Sequence, residues 1–329
     1  MRSEKPWKSF LEQLALLKSR GLLVDNESAA LDYLGRIGFY RLSGYWYSFR
    51  QLEIIQLENG KLVSNRKNDF IANSQFEDAV KLYVFDKKLR LLALDALERI
   101  ELAVRVDIAH LLGSMDIHAH EKKALFSGHF SKKLQKHGKT DHQLWLERYA
   151  SCVDRARREP FVAHYLNKYG KLPVWVGIEI WDFGLMSKLF AGMKPTEQLI
   201  IASKYGAKDG RTLVGWLRGL NFIRNVSAHH SRLWNINVLE RAAPLQDDYW
   251  RQLSNSRPFY YFCLIQKLMT VICPNSSWST RFSDLMAEFP DVGSKSVSLS
   301  DFGLIEGWQD WSLWNVQKAE LKTDAYTKE

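Results

Sequence analysis

The sequence predicts a mainly α-helical protein with one small, peripheral β-hairpin. Three observations predict it. The run Glu77 to Leu112 contains neither proline nor glycine and carries apolar residues at helical spacing. Several shorter stretches repeat that spacing. Alternation fit for a strand pair occurs once, around Asn59-Gly60.

The elements follow in chain order. Phe10, Leu14 and Leu17 recur at helical spacing and stop at Gly21, and Ala29 to Gly35 repeats the pattern briefly. Ile37 to Tyr47 is an aromatic cluster punctuated by Gly38 and Gly44, which reads as a packed turn. Residues 52–64 alternate weakly around Glu58-Asn59-Gly60, and Asn-Gly between apolar runs signals a hairpin. Ser74-x-x-Glu77 has the spacing of a capping box, and Gly113 is expected to end the long helix. That helix would be roughly 54 Å long at about 1.5 Å per residue. Leu82, Phe85, Leu89, Leu92, Ala96, Ile100, Ala103 and Ile108 trace its apolar face.

Another helical pattern surrounds Leu144 to Val153, and one opens near Pro173, where proline suits a first turn. Thr212 to Arg224 carries Leu213, Trp216, Leu217, Leu220 and Ile223 on one side, and Phe259 to Ile272 is a further helix. The chain divides into residues 1–73 (N-terminal helices, aromatic turn and hairpin), 74–273 (a helical domain with a basic insertion near 120–160) and 274–329 (an acidic, Trp-rich tail packed on the core).

A chain of 329 residues buries a core without disulfide or metal staples. No apolar run reaches the ~18 residues that span a bilayer, and the start lacks a signal-peptide pattern. A cytoplasmic protein with no membrane partner is expected. Cys152, Cys263 and Cys273 form no Cys-x-x-Cys pair, so they read as free thiols. The net charge of +9 favours a polyanionic partner. It is uneven: ten Lys/Arg stand against four Asp/Glu in residues 121–158, and four against nine from Asp284 onward. Lys132, Lys133, Lys136, Lys139, Arg155, Arg157 and Arg158 are the candidates for a phosphate backbone, with a solvated surface as the plain alternative.

Several chemical motifs fail. Gly138-Lys139-Thr140 resembles the end of a P-loop, but Lys133 stands where the earlier glycine belongs. His118-x-His120 with His129 lacks carboxylate support, so no metal and no cofactor is expected. One segment stands out. Leu220 to Asn235 packs two Arg, two His and three Asn into 16 residues. Arginine holds a phosphate bidentately, and histidine moves protons near neutral pH, as phosphodiester cleavage requires. Arg224 and His229 lie about 140° apart on an ideal helix. The helix must therefore break near Asn225 to Ser227, or the partner groups come from another copy of the chain. Arg105 and His110 repeat the spacing inside the long helix, where they point apart. Glu101 and Arg105, one turn apart, can pair with each other or line a cleft.

The segment Arg224-Asn225-x-x-Ala228-His229-His230-x-Arg232-Leu233-Trp234-Asn235 resembles the signature of Abi-like abortive-infection proteins of the AbiD/AbiF type. Gly38 to Trp46, Phe85-Asp86-x-x-Leu89-Arg90, Glu98 to Glu101, Pro173-Val174-Trp175 with Phe183-Gly184, and Trp308 to Trp314 agree in order. That family is similar to the HEPN superfamily of helical nucleotide-binding domains, many of which are metal-independent endoribonucleases. The resemblance implies a HEPN-like helical bundle, a homodimer with a composite site, and an RNA-cutting toxin or phage-defence effector restrained by an antitoxin (small RNA or protein). It implies that Arg224 binds the scissile phosphate, His229 is general acid or base, and Asn225 orients one of them. His230 and Arg232 are possible assistants. The alternatives are a non-catalytic RNA-binding protein of a toxin-antitoxin system and a regulator that binds only protein.

Overall fold

A forty-residue helix organises the molecule, and the remaining helices pack around it. The computed structural model describes residues 6–56, 59–60, 62–136 and 138–315. Glu58 of the expected hairpin turn and residues 316–329 of the acidic tail lie outside them. The described residues form α1 (Phe10–Ser19), α2 (Glu27–Arg36), α3 (Phe39–Trp46), β1 (Arg50–Gln56), β2 (Leu62–Phe70), α4 (Phe76–Met115) and α5 (Gly128–Ser131). They continue with α6 (Asp141–Ala156), α7 (Pro160–Tyr169), α8 (Val174–Gly177), α9 (Phe183–Gly192), α10 (Pro195–Lys204) and α11 (Gly210–Ala228). Three more close the chain: α12 (Asp248–Gln252), α13 (Pro258–Ile272) and α14 (Trp278–Ala287). The expectation of a mainly helical bundle with a small hairpin holds.

α4 contacts α3, α8, α9, α10, α11, α13 and α14. Its apolar residues are therefore buried around much of its circumference, from Leu82 and Leu89 to Ile100, Val104 and Leu112. The antiparallel strands pair Ile54 with Ser64, and their side chains are mostly exposed, so the hairpin is peripheral. Trp308, Trp311 and Trp314 are buried, with Trp314 stacked on Phe282 at 4.5 Å. Among the described residues, no helix is long and apolar enough to cross a membrane.

Three local expectations are corrected. Residues 39–46 form a helix, not a turn. Gly38, at φ +91°, turns the chain into it, and Leu42, Tyr45 and Trp46 share its buried side. Burial of those rings outweighs the poor helix propensity of Gly44. The capping box at Ser74 is absent: its hydroxyl donates to the Ile71 carbonyl at 2.7 Å, while Glu77 accepts the N–H of Asn26. Gly113 does not end α4, which runs on to Met115. A Cβ at Gly113 would meet the Trp175 ring at 3.3 Å, so glycine there admits the α8 contact.

Candidate functional site

α11 carries the segment singled out above. Asp209 starts it by accepting the Thr212 N–H at 2.8 Å. Leu213, Trp216, Leu217, Leu220 and Ile223 bury one side. The expected break at residues 225–227 does not occur. The helix runs to Ala228 and closes with His230 N–H to Ser227 C=O and Ser231 N–H to Val226 C=O, at 3.2 and 3.0 Å. This is a Schellman ending, with His230 left-handed at φ +57°. His229 is the capping residue at the helix mouth. From there it lines the same cleft as Arg224 and Asn225 without any break between them.

That cleft encloses about 740 Å³. α11 and its capping residue supply Val214, Arg218, Asn221, Phe222, Arg224, Asn225 and His229. α9 supplies Ser187 and Lys188, and α6 supplies Arg148. Asp182 caps α9 by accepting the Leu185 N–H at 2.7 Å, and it pairs with Arg148 at 2.5 Å. Burial pushes the Asp182 carboxyl up, but the Leu185 N–H, Arg148 and Arg224 outweigh it and hold the group below its ordinary value. Arg218 pairs with Glu240 at 3.2 Å across the cleft mouth. Arg224 and Lys188 make no ion pair among the described residues. The cleft thus holds four cationic side chains and two carboxylates, and both carboxylates are already paired. An anion entering it meets a net positive field.

The other residues singled out from the sequence lie elsewhere. Glu101 and Arg105 pair with each other, and Arg105 also donates to the Trp181 carbonyl. Neither is among the cleft-lining residues, though burial raises the Glu101 carboxyl against the opposing charges of Arg105 and Arg224. His110 lines a separate pocket beside Trp175. The His230 carbonyl accepts Arg41 at 2.7 Å, and Arg232 donates to the Gly44 carbonyl, so both residues brace the turn. Lys139 pairs with Glu147, Arg157 with Asp154, and Arg155 donates to the Cys152 sulfur. Lys133, Lys136 and Arg158 are exposed, and Lys132 lines another cleft. His120 is packed among Trp145, Tyr149 and Trp181. Among the described residues, no three His, Cys, Asp or Glu side chains gather as a metal site. All three cysteines are free.

Sequence reasoning missed Arg148, Asp182, Lys188 and Arg218, and it counted Asn221 in the dense segment without giving it a role. For the α11 members a signal existed. Positions 214, 218, 221, 222, 225 and 229 follow steps of three, four and one, a stripe opposite the apolar one. Lys188 carries no such signal, because α9 is apolar nearly all round.

Residues 32–235 match the profile of a family described as Abi-like protein. The chain belongs to the Abi-like protein family. No curated protein and no solved structure matches it. Membership supports a role in abortive infection, a defence against phage. The matched span of this Abi-like protein includes every residue lining the cleft except Glu240.

Proposed function

We propose that this Abi-like protein is a metal-independent endoribonuclease of the HEPN type, resembling the AbiD/AbiF members. The observation that carries the reading is the cleft in which Arg224, Asn225 and His229 meet Arg148, Lys188 and Arg218. Arg224, with no carboxylate paired to it among the described residues, is available to hold a phosphate by two parallel N–H bonds. His229 is exposed at the helix mouth, where a proton can enter and leave. Asn225, one helical turn before it, orients the phosphate or the imidazole.

In the reaction, the 2′-oxygen attacks phosphorus and its proton is taken up by a base. The bond from phosphorus to the 5′-oxygen breaks, and that oxygen receives a proton. The products are a 2′,3′-cyclic phosphate and a 5′-hydroxyl. One histidine serves one of the two proton transfers. The second falls to a group from another copy of the chain, which makes the active form a homodimer with a composite site.

The test incubates wild type, Arg224→Ala and His229→Ala with total RNA in EDTA. The reading expects cutting by wild type alone, cyclic phosphate ends, and losses of ~10²- to 10⁴-fold in the variants. Equal degradation of matched DNA, which lacks the 2′-hydroxyl, would sink the mechanism. Intact RNA that shifts on a gel would replace the enzyme by a non-catalytic RNA-binding protein.

A further inference from the structure

The Arg224 cleft does not stop at α9. Arg148, Lys188 and Ala191 line it and also line a second pocket of about 380 Å³. Leu144 and Phe130, with the buried Trp145 and Leu185 behind them, make most of its wall, and Asp141 is the one carboxylate in the lining. Its end is formed by α5, a single helical turn. His129 and Phe130 of this turn line the second pocket, while Gly128, Ser131 and Lys132 line a third cleft of about 990 Å³.

Three lysines enter the third cleft from separate segments: Lys123, Lys132 and Lys194. No Asp or Glu lines it, and none of the three makes an ion pair among the described residues. Glu197, nearby in sequence, accepts the Thr196 hydroxyl at 2.8 Å and is not part of the lining. Gly128 faces open space, since a Cβ there would meet nothing within 4 Å. A bulky backbone can therefore approach this wall.

We propose that the three depressions form one track for a single strand of RNA. The Lys123, Lys132 and Lys194 cleft grips phosphates away from the scissile bond, and the Trp145 pocket takes one unstacked base. The proposal rests on reading the Arg224 cleft as the RNA site. Its logic is the order of surfaces: cationic, mainly apolar, cationic. A strand needs its phosphates on the charged ends and offers a base to the apolar middle. The pocket volume lies in the range of small-ligand sites. A duplex keeps its bases stacked and paired inside, so it cannot fill the middle. Recognition by length and single-strandedness follows, with the lysines as a grip that a short substrate never reaches.

The test uses the full chain and 2′-O-methyl RNA, which cannot be cut by 2′-oxygen attack. Fluorescence anisotropy measures binding of a single-stranded tetramer, a single-stranded 12-mer and a 12-mer duplex. The combined variant Lys123→Ala/Lys132→Ala/Lys194→Ala should bind the 12-mer about tenfold more weakly. The slope of log affinity against log salt should shallow by about 2, three contacts at ~0.7 each. Tetramer binding should be unchanged, and so should the melting curve. A variant that binds the 12-mer as tightly as wild type overturns the track. So does a duplex that competes equally. Wild type that shows this length and lysine dependence yet cuts no unmodified RNA supports the track and removes the nuclease reading alone.

Discussion

Asp86 accepts the backbone N–H of Trp234 at 2.8 Å, joining two residues 148 positions apart in the chain. The same carboxylate accepts the Leu233 N–H at 3.0 Å and the Tyr45 hydroxyl at 2.7 Å, and it pairs with Arg90. Arg90 also donates to the Ser231 carbonyl at 3.4 Å. α3, α4 and the turn after α11 thus meet at one buried carboxyl group. The three sequence blocks around Tyr45, Asp86 and Trp234 are far apart in the chain, yet their polar groups satisfy one another. Burial pushes the Asp86 carboxyl up, and Arg90 with three N–H and O–H donors opposes it. The consequence for the site is positional, because His229 leaves α11 into a turn clamped on its far side.

Asp86→Ala should be among the most damaging single changes in the protein. It leaves Arg90 uncompensated and two backbone N–H groups unsatisfied. Breaking a buried pair by removing one partner costs about 3–5 kcal/mol. Urea denaturation of Asp86→Ala, Arg90→Met and the double variant measures it. The double variant should recover part of the loss, and a purely additive result would show that the pair is not coupled.

α11 seats on α13 at Gly219. Gly219 lies in the helix interior, where Gly→Ala ordinarily stabilises by about 1 kcal/mol. Here the new methyl would collide with the Tyr261 ring and come within 3.1 Å of the Glu240 carbonyl. Tyr261 cannot swing freely, since its hydroxyl donates to the Asn255 carbonyl at 2.9 Å and accepts the Ala242 N–H at 3.1 Å. Overpacking costs about 1–3 kcal/mol, so it outweighs propensity. Gly219→Ala should lower the melting temperature. It should also disturb the Arg218–Glu240 pair at the cleft mouth, which RNA binding at low salt would register.

The long helix, the hairpin and the group Arg224, Asn225 and His229 were legible because each depends on local pattern. Periodicity revealed α4 and α11, Asn-Gly revealed the strand pair, and a dense run of Arg, His and Asn marked the cleft. What stayed hidden depends on tertiary partners. α3 reads as a turn until Tyr45 and Trp46 are seen buried against α4. The Ser74 box fails because Gln75, not Ser74, takes the N-cap of α4, and the Ser74 hydroxyl turns instead to the Phe49 and Ile71 carbonyls. Lys188 belongs to the cleft only because α9 crosses α11, which no pattern within α9 reports. The basic run was legible as charge, but the pairing of Lys139 with Glu147 and of Arg157 with Asp154 was not.

Conservative replacement at Arg224 separates charge from geometry. Arg224→Lys keeps a cation but loses the planar fork that binds a phosphate bidentately. It should therefore retain substrate affinity within a fewfold and lose most turnover. Stability should change by no more than about 0.5 kcal/mol, because no ion pair within the described residues is broken. A kcat equal to wild type would mean that Arg224 acts only as a point charge.

His120 makes stability depend on pH. Its ring is fully buried among Trp145, Tyr149 and Trp181, and neither ring nitrogen has a hydrogen-bond partner among the described residues. Burial pulls its pKa down from 6.5 to about 4, against the pull of Glu121. The unfolded chain takes up this proton below about pH 6.5, and the folded chain only near 4. Stability from this group is therefore complete above about pH 6.5 and falls as pH drops towards 4. At about pH 5 the difference amounts to ~2 kcal/mol, at 1.36 kcal/mol per unit. Carboxylates contribute their own acid loss, so the decisive comparison is between variants. His120→Phe keeps an aromatic ring in the site and removes the proton acceptor. Urea midpoints at about pH 7.5 and 5 should fall further apart for wild type than for His120→Phe. Equal separations would mean that water or a shift of the ring lets His120 charge within the fold. The ring is also tied to the cleft wall in sequence, because Trp181, which packs on His120, precedes Asp182.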